Sequence, residues 1–425
     1  MNEEHLALEG IQKKLIGKRL NYKEIFAIMD QISHQKLGTV LTTYFAASGY
    51  SKGFNREELF FLTKAMIETG DQLHFKGIVA DKHSIGGVPG TRTSMIVVPI
   101  LASAGFTIPK SSSRAITTPG GTADDMEVLA PVTFDKEGIY KIVEKTNGCI
   151  VWGGSVDIAP ADDELIKVEK PLSFESFDKV LVSIMAKKIA FGSNHIIIDL
   201  PYGEHVKVHK LSDAEHLGKQ FMYLAEKFGV KMYVNVHRTQ EPAGRGIGPL
   251  LEAKEALRVL EQKPDRALDL EKRAIFLAGT LLDLCLKDAP LSIKNPVEKE
   301  FGGDGAKWAL SILSSGHALK KMREIIKAQG GDQDITSEQL KPGKFSYTVE
   351  ATRSGTVHKI NCKNTSTIAK ILGAPASKKS GLYLHKKIGE KTMRGVPLYT
   401  LYSDHDYTLK EAKDSLPHFP IVEYE

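Results

Sequence analysis

The chain has 425 residues, 42% hydrophobic and 26% charged, which excludes wholesale disorder and, at roughly 150 residues per domain, suggests two to three domains. Lysine plus arginine (57) outnumber aspartate plus glutamate (52), a net charge of +5, too dispersed for nucleic acid but suited to one anionic small ligand. The three cysteines, Cys149, Cys285 and Cys362, are odd in number and widely spaced, which excludes a disulfide framework or zinc-ligand pattern and points to a reducing compartment.

The opening Met1-Asn2-Glu3-Glu4-His5 is polar and acidic, so no export signal is expected and the protein reads as cytoplasmic. Residues 1 to 70 read as consecutive amphipathic helices. Leu8, Ile11 and Leu15 keep helical spacing, and Asn21 with Glu24 forms a capping arrangement ahead of Ile25, Ile28 and Ile32. Asn55 and Glu58 repeat it before Leu59, Leu62 and Met66, and Gly70 stops that helix. From residue 77 short apolar runs alternate with helical segments: Gly77 to Ala80, Ile150 to Trp152, Ile196 to Ile198 and Met232 to Val236. Strands separated by helices imply a mainly parallel sheet covered on both faces.

Met95 to Pro109 is the longest apolar stretch, but Pro99, Ser103 and Gly105 interrupt it. It falls short of the ~18 apolar residues of a membrane span and reads as a buried element, so no membrane partner is expected. Phe174 to Ala190 is again helical, with Phe177, Leu181 and Ile184 as the buried stripe. Residues 326 to 344 read as a linker to a region of short strands punctuated by glycine. The fold class expected is therefore α/β multidomain: a helical domain over 1–70 with 160–190 returning to it, a larger mainly parallel α/β domain over 71–159 and 191–335, and a β-rich C-terminal domain over 345–425.

Three segments carry candidate chemistry. Asp81 to Gly90 follows a predicted strand; its glycines let backbone N–H groups approach an anion, while Lys82 and Ser84 add a charge and a hydroxyl. It is neither a Walker loop nor a dinucleotide glycine motif. The alternative is a tight turn with a surface lysine. Ser111 to Thr122 packs six hydroxyl residues, Arg114 and two glycines into twelve positions, ahead of the acidic helix start Asp124-Asp125-Met126-Glu127. Hydroxyls and free N–H groups at a helix start suit phosphate, and the alternative is a polar solvated loop. Glu175, Lys179, Ser183 and Lys187 step by four residues on the face opposite Phe177, Leu181 and Ile184; spacing alone favours a solvated polar face. His205 and His209 lack a third metal ligand nearby, Lys207 taken alone reads as a surface lysine and His237 as structural, and Gly244 to Pro249 fits a site-lining segment and a glycine-rich helix entry equally well.

Lys82-His83-Ser84-Ile85-Gly86-Gly87, Ser112-Ser113-Arg114-Ala115-Ile116 and Gly120 to Glu127 resemble the signatures of the thymidine phosphorylase family. The resemblance extends through Ala159-Pro160-Ala161-Asp162, Ser183 to Lys188, and Gly373-Ala374-Pro375 to Leu382-Tyr383-Leu384-His385. Asp81 to Gly90 and Ser113 to Thr117 favour the branch that contains AMP phosphorylase. Pyrimidine-specific members place an arginine, a serine and a lysine around the base; here Ser183 and Lys187 match, but Val168 stands where the arginine belongs. The extra small N-terminal domain of AMP phosphorylases has no counterpart in these 425 residues. The C-terminal domain resembles a barrel-sandwich fold without the Met-Lys-Met of biotin carriers.

The resemblance implies phosphorolysis of the N-glycosidic bond of a nucleoside or nucleoside 5′-monophosphate. Its implied phosphate cradle is Lys82, Ser84, Gly87, Thr93, Ser112, Ser113 and Thr122. His83 is the implied donor to the base in the thymidine phosphorylase manner, and Glu175 the proton donor in the AMP phosphorylase manner. Arg114, Ala115, Ile116, Thr117, Thr118, Ser183, Lys187 and Lys207 are implied to hold the nucleoside or nucleotide. Inorganic phosphate is co-substrate, with no metal or other cofactor, and a homodimer is implied. Competing readings are AMP phosphorylase proper, a non-catalytic phosphate or nucleotide sensor, and a phosphoribosyltransferase of related fold, for which an acidic metal cluster beside the glycine loop is lacking.

Overall fold

The computed structural model describes residues 3–115, 118–172 and 176–425. The chain divides into two compact units, one of Met1–Val79, Gly153–Asn194 and His216–Met232, the other of Ala80–Trp152, His195–Glu215 and Tyr233–Glu425.

The first unit is built on α1 (Glu3–Leu15), α2 (Tyr22–Ser33), α3 (Gly38–Lys52) and α4 (Arg56–Glu68). Asn21 and Glu24 close a reciprocal capping box on α2, and Asn55 and Glu58 do the same on α4, so both predicted helix starts are exact to the residue. The predicted stripes Ile25, Ile28, Ile32 and Leu59, Leu62, Met66 are buried. Leu15, in contrast, ends α1 and is 40% exposed.

The other unit begins with β1 (Ala80–Ser84), α5 (Ser94–Ser103), β2 (Ile108–Ser112), α6 (Thr122–Met126), α7 (Lys136–Thr146) and β3 (Gly148–Trp152). In the first unit follow α8 (Pro160–Leu172) and α9 (Phe177–Ala190). Next come β4 (His195–Tyr202), α10 (Leu211–Lys227), β5 (Lys231–Arg238), β6 (Gly246–Ile247), α11 (Pro249–Leu260) and α12 (Leu268–Asp288). Three further helices, α13 (Leu291–Phe301), α14 (Gly305–Ser314) and α15 (His317–Ala328), precede the C-terminal strands. β1 runs parallel to β4 in the order β1-β4-β5, and β2 runs parallel to β3. Parallel pairing demands helical crossovers, which is why the strands alternate with helices.

The C-terminal part holds β7 (Phe345–Glu350), β8 (Gly355–Ile360), α16 (Cys362–Ile371), β9 (Gly381–Leu384), β10 (Lys391–Thr392), β11 (Pro397–Ser403), α17 (Asp406–Ser415) and β12 (Val422–Tyr424). Its sheets are ordered β6-β9-β11-β7 and β10-β8-β12. β6 lies far upstream in sequence yet pairs with β9, and Ile247 is part of the same apolar core as Leu382, Leu384 and Leu401.

Four expectations need correction. The first strand is Ala80–Ser84, not Gly77 to Ala80. An apolar-run criterion misses it because Asp81 and Lys82 are buried, the former paired with Lys110 at 3.2 Å. Met95 to Pro109 is not one element: a turn at Gly105, with φ +90°, separates α5 from β2. Residues 326 to 328, placed in the linker, still belong to α15. The buried stripe of α9 is Leu181, Val182, Met185 and Ala186, whereas Phe177 opens the helix and is 38% exposed.

Glu58 caps α4 and also pairs with Lys14 of α1 at 2.9 Å, with both side chains almost fully buried. Removing one partner of such a pair leaves an uncompensated buried charge, typically worth ~3–5 kcal/mol. Glu58→Ala should therefore lower stability to urea by about that amount, and Lys14→Met combined with Glu58→Leu should recover part of it. A loss below ~1 kcal/mol for Glu58→Ala would refute this role.

Candidate active site

Strand alternation puts Lys82 and Ser84 on one face of β1 and Asp81 and His83 on the other. The register sets Ser84 opposite Asp199 of β4. Lys82 Nζ donates to Ser84 Oγ at 2.6 Å, and Ser84 Oγ donates to Asp199 Oδ2 at 3.0 Å. Asp199 Oδ1 receives Asn235 Nδ2 at 3.2 Å, faces His237 Nε2 at 3.1 Å, and is bonded by Arg273 of α12. Burial works to raise the Asp199 carboxyl, but His237, Lys82 and Arg273 outweigh it and hold the group well below the usual carboxylate range. Burial pulls the Lys82 ammonium down to about 8, with Asp199 opposing the shift and Arg273 and Arg92 adding to it.

Lys82 Nζ also lies 3.5 Å from Ser94 Oγ, at the start of α5. The preceding residue, Thr93, is fully buried, and its hydroxyl has no hydrogen-bond partner among the described residues. A buried hydroxyl of this kind calls for a partner that binding would bring. Together the Lys82 ammonium and the Thr93 and Ser94 hydroxyls form a donor cradle fit for a tetrahedral oxyanion, lined by Ser84, whose proton goes to Asp199 and whose oxygen aims Lys82. Gly87 closes the turn beyond β1 with φ +101°, where a Cβ would lie 2.6 Å from the Lys207 backbone nitrogen. Only glycine allows that approach, and it sets Lys207 beside the glycine loop.

The hydroxyl-rich segment is organised by one carboxylate. Asp124 Oδ2 accepts the N–H groups of Ala115 at 2.6 Å and Gly121 at 2.9 Å, drawing the two ends of the loop together. Gly121 must be glycine, since a Cβ would stand 2.4 Å from the Ser113 carbonyl. Ser112 ends β2 and is half-buried, Ser113 is exposed, Thr118 Oγ1 donates to the Gly120 carbonyl at 2.8 Å, and Thr122 opens α6. Ile116 and Thr117 lie outside the described residues, as does Glu175.

The Arg114 fork grips Glu127 with bonds of 2.7 and 2.6 Å, reaches Asp124 at 3.3 Å, and stacks 5.1 Å over Trp152. Hydrogen bonding from Arg114 holds the Glu127 carboxyl down at about 2, against a smaller opposing effect of burial, and Lys378 adds to the lowering. Beneath the loop, Arg92 donates to the Gly120 carbonyl at 2.8 Å, pairs with Asp125 at 2.6 Å and bonds Glu252. Burial drives Asp125 well above the usual range against the pull of Arg92, with smaller upward pushes from Glu252 and Asp124.

In the helical unit, Ser183 Oγ donates to Asp162 Oδ2 at 2.7 Å, and Lys187 Nζ pairs with Asp162 at 2.8 Å and Asp163 at 3.1 Å. Burial works against the Lys187 ammonium, but the two aspartates outweigh it and raise it. The matched serine and lysine thus share one buried carboxylate. Val168 sits half-buried on α8. Among the described residues no group of three His, Cys, Asp or Glu side chains could hold a metal ion.

Reasoning on the sequence singled out neither Asp199 nor Arg273. Asp199 follows the apolar run Ile196 to Ile198 directly, and a carboxylate closing a buried parallel strand is a signal that position alone could have raised. Arg273 lies within a long amphipathic helix and carries no such mark. Asp162 lies within Ala159-Pro160-Ala161-Asp162, and only the fold brings its carboxylate to Ser183 and Lys187.

Three family models match the chain: a glycosyl transferase family helical bundle domain over 8–70, the α/β domain of that family over 76–319, and a pyrimidine nucleoside phosphorylase C-terminal domain over 356–418. The chain is 43% identical over 405 residues to the AMP phosphorylase of Thermofilum pendens, covering 95% of the chain and 76% of the relative. Identity to the AMP phosphorylase of Methanospirillum hungatei is also 43%, over 96% of the chain and 77% of the relative. A Legionella pneumophila protein named "Putative thymidine phosphorylase" is 40% identical, over 96% and 76%. Among solved structures, anthranilate phosphoribosyltransferase from Thermus thermophilus superposes with a TM-score of 0.59 at 16% identity, covering 75% of this chain and 99% of that one, a likeness of fold.

The cradle makes a pH-dependent prediction. Lys82 is depressed to about 8, so its charge, and with it oxyanion affinity, should be full below that pH and fall as pH rises through it. Calorimetric titration of inorganic phosphate from pH 6.5 to 9.5, values taken around the lysine transition at ~8, should show this weakening. In Lys82→Arg the break should vanish. A wild-type affinity that stays flat across the range would overturn the assignment.

Proposed function

The chain belongs to the thymidine phosphorylase and AMP phosphorylase family, and we propose that its cradle aims inorganic phosphate at the anomeric carbon of a nucleoside 5′-monophosphate or nucleoside. The enzyme is a pentosyltransferase that carries out phosphorolysis: the bond from the anomeric carbon to the base breaks as a phosphate oxygen bonds that carbon. The base departs with the bonding electrons and gains a proton, leaving a pentose 1-phosphate. A 5′-monophosphate would yield a pentose 1,5-bisphosphate.

The observation that carries this reading is the Lys82–Ser84 pair, whose ammonium reaches Ser94, one residue after a buried Thr93 hydroxyl that has no partner among the described residues. In the transition state positive charge grows on the sugar and negative charge on the base, so a held phosphate dianion and a donor at the base act together. Lys82, Ser84, Gly87 and Thr93 hold the phosphate, joined by Ser112, Ser113 and Thr122 from the second loop. Ser183, Lys187 and Lys207 orient the nucleoside, with Ala115, Ile116, Thr117 and Thr118 along the loop. Asp199 keeps Ser84 and Lys82 aligned without touching the reacting atoms. A cytoplasmic homodimer that needs no cofactor beyond phosphate belongs to the same reading.

His83 and Glu175 are the two candidates for the donor at the base. General-acid assistance is worth ~10²–10⁴-fold. If Glu175 protonates the base, Glu175→Gln should cost turnover more than His83→Ala; the opposite order assigns the role to His83. Negligible effects of both would remove both residues from the mechanism.

The 5′ end is read from Arg114, whose planar fork suits a bidentate phosphate. The 43% identity to two AMP phosphorylases supports a nucleotide. The hold of Glu127 on the same fork favours the second reading, a plain nucleoside, because the nucleotide must displace it. Free-base release should be measured with phosphate and thymidine, uridine, cytidine, AMP, CMP and UMP. Arg114→Lys should then raise KM for a monophosphate at least about tenfold more than for its nucleoside, the loss expected for a charge-assisted bidentate contact. Turnover of thymidine with every monophosphate ignored would decide for the nucleoside.

A further inference from the structure

Lys378 stands in the C-terminal part, far along the chain from the hydroxyl-rich loop, yet its ammonium lies 3.0 Å from Asp124 and 2.8 Å from Glu127. Its backbone is anchored independently. The Lys378 carbonyl accepts the Leu250 N–H at 3.0 Å, and two residues on, the Ser380 carbonyl packs so tightly on Gly248 that a Cβ there would lie 2.5 Å away. The ammonium is thus delivered to the loop from a fixed support.

Its two partners are the carboxylates that Arg114 also uses. Asp124 is 2% exposed and ties the ends of the loop through Ala115 and Gly121, so it must stay in place. Two carboxylates and two cations make a neutral set. If Arg114 alone served both acids, turning its fork to a substrate anion would strand two partly buried negative charges beside that anion. With Lys378 present, one cation remains on Asp124 and Glu127 while the other is released.

We propose that Lys378 is a positioning residue for the substrate loop: it holds Asp124 and Glu127 so that Arg114 can exchange Glu127 for an anionic group of the substrate. The exchange rests on the reading that the loop meets the nucleotide. Lys378 itself touches neither substrate nor reacting atoms. Lysine fits the task because one ammonium reaches both carboxylates as a point charge, leaving the planar fork to arginine.

The test is steady-state kinetics of Lys378→Met, Lys378→Arg and Lys378→Met with Glu127→Gln, using the nucleoside 5′-monophosphate that the wild type turns over best. For Lys378→Met, KM for that substrate should rise about tenfold or more, while KM for phosphate and kcat move much less. Lys378→Arg should restore most of the loss. Glu127→Gln in the Lys378→Met background should restore part of it, because removing one acid returns the set to neutrality. A purely structural role would not give this compensation. Unchanged KM in Lys378→Met, or a double variant no better than the single one, would overturn the proposal. Thermal unfolding of each variant separates misfolding, and if Lys378→Met does not fold, Lys378→Gln takes its place. A wild type that releases base from nucleosides but ignores every monophosphate would overturn the exchange at Arg114, because a nucleoside offers no anion, while leaving phosphorolysis itself standing.

Discussion

Everything at the cradle depends on keeping one carboxylate charged inside the protein. Asp199 is 3% exposed, and a lone carboxylate at that depth would take up a proton. The protein surrounds it with Arg273, His237, Asn235 and the Ser84 hydroxyl, so that the charged form wins. This order then propagates outward. A fixed Asp199 orients Ser84 as a donor inward, which leaves the Ser84 oxygen to accept from Lys82, and that bond aims an otherwise flexible ammonium. The parallel register that sets Ser84 opposite Asp199 is therefore a functional constraint as much as a folding one.

The two loops solve different electrostatic problems. Around Lys82 an ammonium is buried, and the Thr93 hydroxyl has no partner among the described residues, a state that an arriving dianion relieves. Around Arg114 the charges are balanced before any ligand arrives, and recognition there means trading one carboxylate for another anion. The first arrangement favours affinity, and the second favours selectivity, because only a group with comparable geometry can compete with Glu127 for the fork.

Much of this was legible in the chain. The helix starts at Asn21 and Asn55 were, because capping is local chemistry written within four residues. The glycine loop and the hydroxyl cluster were, because their composition is abnormal over a short window. The strand Ala80–Ser84 was not, since its charged and polar side chains are held by partners distant in sequence: Lys110 for Asp81, Asp199 for Ser84. The links of Glu127 to Arg114 and Lys378, and of Asp162 to Ser183 and Lys187, were hidden for the same reason. Composition shows which groups are available; only folding shows which of them have been spoken for.

The pairing of β6 with β9 has a consequence for how such a chain can change. Gly246 and Ile247 belong by sequence to the middle of the protein, but by hydrogen bonding and by core they belong to its C-terminal sheet. A recombination event that exchanged everything after Ala328 would leave those two residues behind, with an unmatched edge and an apolar side chain fitted to a vanished neighbour. The C-terminal region is therefore inherited by co-adaptation with a dipeptide some hundred residues upstream, and it cannot be shuffled as a free cassette.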